Sequence, residues 1–259
     1  MPSQQNNIRY GLVLLSISVI LTFFLLISNA NGYLSQQFFD VFFPITIGVT
    51  VIWGVLLFLE TKNKLRGVFG FNEQVLNSPF SKFPLSVKIL VIGGGLAILF
   101  SAGAIGLGSP IIDIPQPFTE QAFTQVTDFD KVVYQSVIPG FFEESAIYVI
   151  ALATKFILFM ALGRNPKLLL MIMLIASGVG AFVLTQAHRL VYGSDQGAFI
   201  GIFLFSFTVT FFNLYTGAFI SWIPHMLHNA VVVLGFLVAF SIGGTKLLRM
   251  FGVKNEQKS

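Results

Sequence analysis

Residues 132–162 read VVYQSVIPGFFEESAIYVIALATKFILFMAL, an apolar run longer than a bilayer requires, with two adjacent carboxylates, Glu143 and Glu144, set into it. A charged carboxylate near the middle of a bilayer costs at least about 2.5–3.5 kcal/mol, so acids at that depth face a protein interior or a wet cavity and serve a purpose there. Pro139-Gly140 interrupts the run one turn before the acids. Proline lacks the backbone donor and clashes with the preceding turn, which predicts a kink, or a short helix followed by a fresh helix start.

Working outward, the rest of the chain has the same apolar character. It has 259 residues, 55% of them hydrophobic and only 10% charged; its mean hydropathy is +0.83. These values indicate an all-α, polytopic transmembrane helix bundle. Each crossing needs roughly 20 apolar residues, so the length accommodates about 7–8 spans in a single integral membrane domain, 1–259. Cysteine is absent, which excludes disulfides, thiolate nucleophiles and thiolate metal sites. The formal charge of +4 is modest, and the basic residues lie in loops beside apolar runs, which fits the positive-inside bias of a cell-membrane protein and not nucleic-acid binding.

The N-terminal part, 1–131, supplies spans at about Tyr10–Ser28, 42–59 and Val87–Leu107, with Asn29-Ala-Asn-Gly32 as the turn that ends the first. Between Glu60 and Lys88 the residues Lys62, Lys64, Arg66, Lys82 and Lys88 mark a cytoplasmic loop that could lie in the interface. The acidic stretch Ser109–Lys131 reads as non-cytoplasmic. The second part, 132–245, contains the acids, a span at about Leu168–Ala187 ending at His188-Arg189, and apolar runs at 198–221 and 223–243. Simple alternation of crossings would leave His188 and His225 on opposite faces, about 30 Å apart. They meet if the intervening chain returns to the side it left, as a hairpin of two short helices or as a re-entrant segment lining a cavity.

The chain has only three histidines, His188, His225 and His228, all at or near span ends. His225 and Asn229 are four apart and share a helical face. Each feature has a plainer reading. The acids could be a solvated pair at a helix start, His188-Arg189 an interfacial anchor, and His225 with Asn229 interhelical hydrogen bonding; the last reading is also the natural one for His228.

Glu143-Glu144, then Leu184 four residues before His188, then His225-x-x-x-Asn229 together resemble the three motifs of the CPBP family, the CAAX proteases and bacteriocin-processing intramembrane proteases also called Abi. The resemblance covers about Phe141–Val233, and the approach Leu214-Tyr-Thr-Gly-Ala-Phe-Ile is similar too. Two positions differ: Tyr148 stands where the family usually has arginine, and Leu184 where it usually has phenylalanine. The resemblance implies an intramembrane endopeptidase in which Glu143 activates water, His188 assists, His225 and Asn229 stabilise the oxyanion, and Glu144 orients or charge-balances the site. The implied substrate is a membrane-anchored or lipidated protein, including a prenylated one, and no cofactor is required. Zinc held by His188, His225 and Glu143 is the metal-containing alternative, although no His-Glu-x-x-His motif is present. From other classes, a proton- or ion-coupled transporter also uses buried Glu and His, and a non-catalytic membrane partner or immunity protein would carry the site as a vestige.

Overall fold

The computed structural model describes residues 4–62, 127–162, 166–192, 196–216, 219, 221–223, 225–230 and 234. The regular structure of these residues is helical, with no strand among them. Helix α1 is Gln4–Ala30 and α2 is Gln36–Thr61. Then come α3, Asp128–Val132, a π-helical turn, Val133–Val137, and α4, Ile138–Leu162. Helices α5, Pro166–Tyr192, and α6, Gln196–Thr216, follow, and residues 225–230 are helical again.

Four helical stretches are long and apolar enough to cross a membrane: Asn7–Ala30, Gln36–Thr61, Asp128–Leu162 and Leu168–His188. Ile200–Tyr215 is a shorter apolar helix. The chain is accordingly a membrane protein, as its composition indicates. The expected span at 87–107 and the loops on either side of it lie outside the described residues, as does most of the expected span at 223–243.

Local chemistry sets the helix boundaries. Gly32 adopts φ +71°, a left-handed value that glycine takes without a side-chain clash. The amides of Gly32 and Tyr33 close onto the carbonyls of Asn29 and Ser28 at 2.9 and 3.0 Å, and Ser35 caps α2 by accepting from the amide of Phe38. This is the turn expected at Asn29–Gly32. Helices α1 and α2 are then joined through hydroxyls, Ser18 to Thr50 at 2.6 Å, the kind of polar contact that holds helices together where water is scarce.

The interruption expected before the acids takes the form of a π-helical turn inside one helix that runs from Asp128 to Leu162, not of a fresh helix start. In that turn the amide of Ile138 bonds back to the carbonyl of Val133, and Pro139, which has no amide to donate, follows directly. The turn carrying Gly140 meets the 225–230 helix at van der Waals distance. A methyl group at Gly140 would come within 2.9 Å of the backbone Cα and N of Met226.

Between His188 and His225 the described residues form one continuous helix, α6, where a hairpin would have two short ones, and it is folded back along α5 so that a methyl at Gly178 would lie 4.0 Å from the Phe207 ring. The amide and hydroxyl of Ser221 are held by Asn213 near the end of α6, and His225 packs edge-on against Phe205 in its middle. Apolar periodicity does not distinguish a helix of this length from two shorter ones, and only the tertiary hydrogen bonds reveal where the chain turns.

Gly140→Ala should lower the thermal unfolding midpoint in detergent by the equivalent of about 1–3 kcal/mol, the usual cost of overpacking. Gly48→Ala, with nothing within 4 Å of the added methyl, should be neutral or slightly stabilising, and equal midpoints for the two variants would contradict the close approach.

Candidate active site

Glu143 and Glu144 are successive residues of α4, so their side chains leave the helix about 100° apart. They nevertheless converge on one imidazole from its two sides. Glu144 Oε1 lies 2.9 Å from His225 Nδ1, and Glu143 Oε2 lies 3.7 Å from His225 Nε2. His188, four residues before the end of α5, brings its own Nε2 to 3.7 Å from the same Glu143 oxygen. Glu144 is 0% exposed, Glu143 8% and His225 6%. Of the five residues expected in the site, these four meet. Asn229 follows His225 by one helical turn and is half-buried.

Hydrogen-bond direction sets the ring chemistry. The carbonyl of Leu184 can only accept, and it lies 3.2 Å from His188 Nδ1, so that nitrogen carries the proton. As a carboxylate Glu144 can likewise only accept, which puts the proton of His225 on Nδ1. Both rings therefore direct Nε2 at Glu143. A nitrogen–oxygen separation of 3.7 Å is too long for a direct hydrogen bond. A water about 2.8 Å from Glu143 Oε2 and from either Nε2 closes a triangle on that 3.7 Å side. The arrangement thus leaves room for a water between a carboxylate and imidazole nitrogens.

The plainer readings fare differently. Burial of Glu144 and its bond to His225 remove the solvated helix-start pair. His228 stays beside the site, its ring 5.9 Å from that of Phe205, in keeping with a supporting position.

Sequence reasoning missed Ser221 and Asn213. Ser221 Oγ donates to Glu144 Oε2 at 2.7 Å, and Asn213 holds Ser221 in turn. The available signal was the amide side chain itself, since an Asn in the apolar run 198–221 needs a partner. The support behind the acids was also not visible from the sequence. Ser145 accepts from the Trp53 indole at 3.3 Å and donates to the Phe141 carbonyl at 2.7 Å. Tyr148, where the resembled family has arginine, is buried and stacked against Trp53 and Phe219. Glu144 receives its donors from Ser221 and His225 instead.

Among the described residues no group of three or more His, Asp and Glu side chains is arranged to hold a metal ion. Comparison with protein-family models, with curated proteins and with solved structures finds no match for the chain.

In side-chain 15N spectra of the histidine-labelled protein in detergent, recorded at a pH where the ring shifts themselves show both imidazoles neutral, His188 and His225 should both appear as the Nδ1-protonated tautomer. An Nε2-protonated form of either would contradict the hydrogen-bond directions above.

Proposed function

We propose that the chain is a multi-pass intramembrane endopeptidase of the cell membrane, of the CPBP type that its motifs resemble. The observation that carries this reading is the approach of His188 Nε2 and His225 Nε2 to within 3.7 Å of a single Glu143 oxygen. A peptide bond inside a membrane protein is cut by water only if that water is held and deprotonated, and Glu143 with His188 supplies the acceptors for both tasks.

In the proposed reaction, a water bound between Glu143 and His188 attacks the peptide carbonyl carbon. Glu143 takes a water proton as the new C–O bond forms. The tetrahedral intermediate places its negative charge on the former carbonyl oxygen. His225 would act here with a second proton, taken up on the Nε2 that is bare in the neutral ring, so that Nδ1–H stays on Glu144 and Nε2–H is offered to that oxyanion. Asn229, one turn on, offers its amide N–H to the same oxygen. The proton on Glu143 passes to the amine nitrogen as the C–N bond breaks, so a carboxylic acid and an amine leave and the Glu143 carboxylate is restored. Glu144 supplies the counter-charge for the imidazolium, the orienting role that the resemblance implies for it. The substrate class is a membrane-anchored or lipidated protein, since the site lies in helices of membrane-spanning length.

Glu143→Gln preserves shape and removes the base. Against a panel of membrane-tethered and prenylated peptides, purified Glu143→Gln should be about 10²–10⁴-fold less active than the unaltered chain, and a strong chelator should leave the unaltered activity intact. Undiminished cleavage by Glu143→Gln would refute the assignment. Loss of activity with chelator and recovery with zinc would move His188, His225 and Glu143 to a metalloprotease. Absence of cleavage by either form would favour ion-coupled transport or a non-catalytic partner.

A further inference from the structure

Behind Glu144 lies a chain of hydrogen bonds whose direction is set throughout. The backbone N–H of Ser221 can only donate, and it lies 3.0 Å from Asn213 Oδ1. That contact settles the orientation of the Asn213 amide, so its Nδ2 is the atom at Ser221 Oγ and donates to it. With one lone pair of Oγ occupied, the hydroxyl proton goes to Glu144 Oε2 at 2.7 Å. The other carboxylate oxygen, Oε1, faces His225 Nδ1 at 2.9 Å. Asn213, Ser221 and Glu144 are essentially inaccessible, at 0%, 1% and 0% exposure, so water does not substitute freely for any bond in the chain.

Three separate elements contribute: Asn213 from α6, Ser221 from the turn after it, and Glu144 from α4. The amide of His225 also donates to the carbonyl of Ser221 at 3.2 Å, so Ser221 anchors both the backbone of His225 and the carboxylate that grips its ring. No motif singled out in the sequence includes Asn213 or Ser221. The usual counter-charge position, Tyr148, is taken up by aromatic packing.

We propose that Asn213 and Ser221 are positioning residues of the site: Asn213 clamps Ser221, whose hydroxyl fixes the Glu144 carboxylate so that Oε1 holds the His225 Nδ1 proton and Nε2 is presented toward Glu143. The catalytic significance of this relay rests on the endopeptidase reading, whereas its effect on the His225 tautomer does not. Without the hydroxyl, Glu144 Oε2 loses its donor and the carboxylate can rotate about its last torsion. The ring then has no reason to keep a single tautomer.

The test uses full-length 15N-histidine-labelled protein in detergent, at a pH where the 15N shifts show the His225 ring neutral, with His225 signals assigned by comparison with His188→Gln and His228→Gln. The unaltered chain and Ser221→Thr, which keeps the hydroxyl, are expected to show only the Nδ1-protonated form of His225. Ser221→Ala and Asn213→Leu are expected to show the Nε2-protonated form beside it. If Asn213→Leu fails to fold, Ser221→Ala, which removes a single oxygen, decides alone. An unchanged single tautomer in Ser221→Ala overturns the proposal. With a cleavable peptide, Ser221→Ala should lower kcat about tenfold, at the low end of the cost of losing a group that orients an active histidine, with KM within about twofold. Ser221→Thr should restore kcat; failure of Thr to exceed Ala overturns the positioning role. If the unaltered chain cleaves nothing, the endopeptidase reading falls, and the tautomer measurement still decides the relay.

Discussion

A carboxylate with no exposure to solvent, in a helix of membrane-spanning length, must have donors supplied by the protein, and Glu144 is that carboxylate. Removing a carboxylate from water carries a penalty of several kcal/mol that only well-placed partners offset. Its donors, Ser221 Oγ and His225 Nδ1, both come from the chain after α6, so that chain has to re-enter the bundle and lie against α4. Gly140 is the point of closest approach, where any side chain would collide with the backbone of Met226. The local sequence choices around the acids therefore follow from one requirement: room and donors for Glu144.

The two acids, though neighbours in sequence, have separate duties because a helix turns about 100° per residue. Glu144 faces the Ser221–His225 segment and is fully paired. Glu143 faces the two Nε2 atoms across gaps too long for direct bonds, and it is the less buried of the pair. One carboxylate thus fixes the imidazole, and the other faces the far nitrogen of the same ring across an open gap. A single acid could not do both, since the geometry that satisfies a buried carboxylate leaves it unavailable to an incoming water.

The acids and the histidines were legible in the sequence because each is expensive in an apolar run, and expense points to purpose. The turn at Asn29–Gly32 and the irregular turn just before Pro139 were legible for a different reason: glycine and proline act on the backbone locally. Asn213 and Ser221 were not singled out. A serine costs little in an apolar helix because it can bond back to its own turn, as Ser145 does with Phe141, so its presence says nothing about a distant partner. The single long helix between His188 and His225 escaped notice for a related cause. Apolar runs record burial or lipid contact, and the turn after Thr216 is defined by Asn213 holding Ser221, a contact that exists only once the chain has folded.

Helices α1 and α2 contribute no residue to the site and yet determine where it forms. Tyr10 on α1 donates its hydroxyl to the carbonyl of Phe219. The ring of Phe219 lies 5.0 Å from that of Trp53 on α2 and 5.2 Å from that of Tyr148 on α4. Trp53 also bonds to Ser145, the residue after Glu144. Offset aromatic contacts of this kind add about 0.5–1.5 kcal/mol each beyond the area they bury, and here they converge on a residue with no regular secondary structure. Phe219 is thus held from three helices while Ser221, two residues on, is held by a fourth, α6. A turn restrained on both sides in this way can place a serine hydroxyl to within hydrogen-bond tolerance of a buried carboxylate. On this account the aromatic residue at position 148 does not leave Glu144 without support: its stacking secures the turn from which the replacement donor comes.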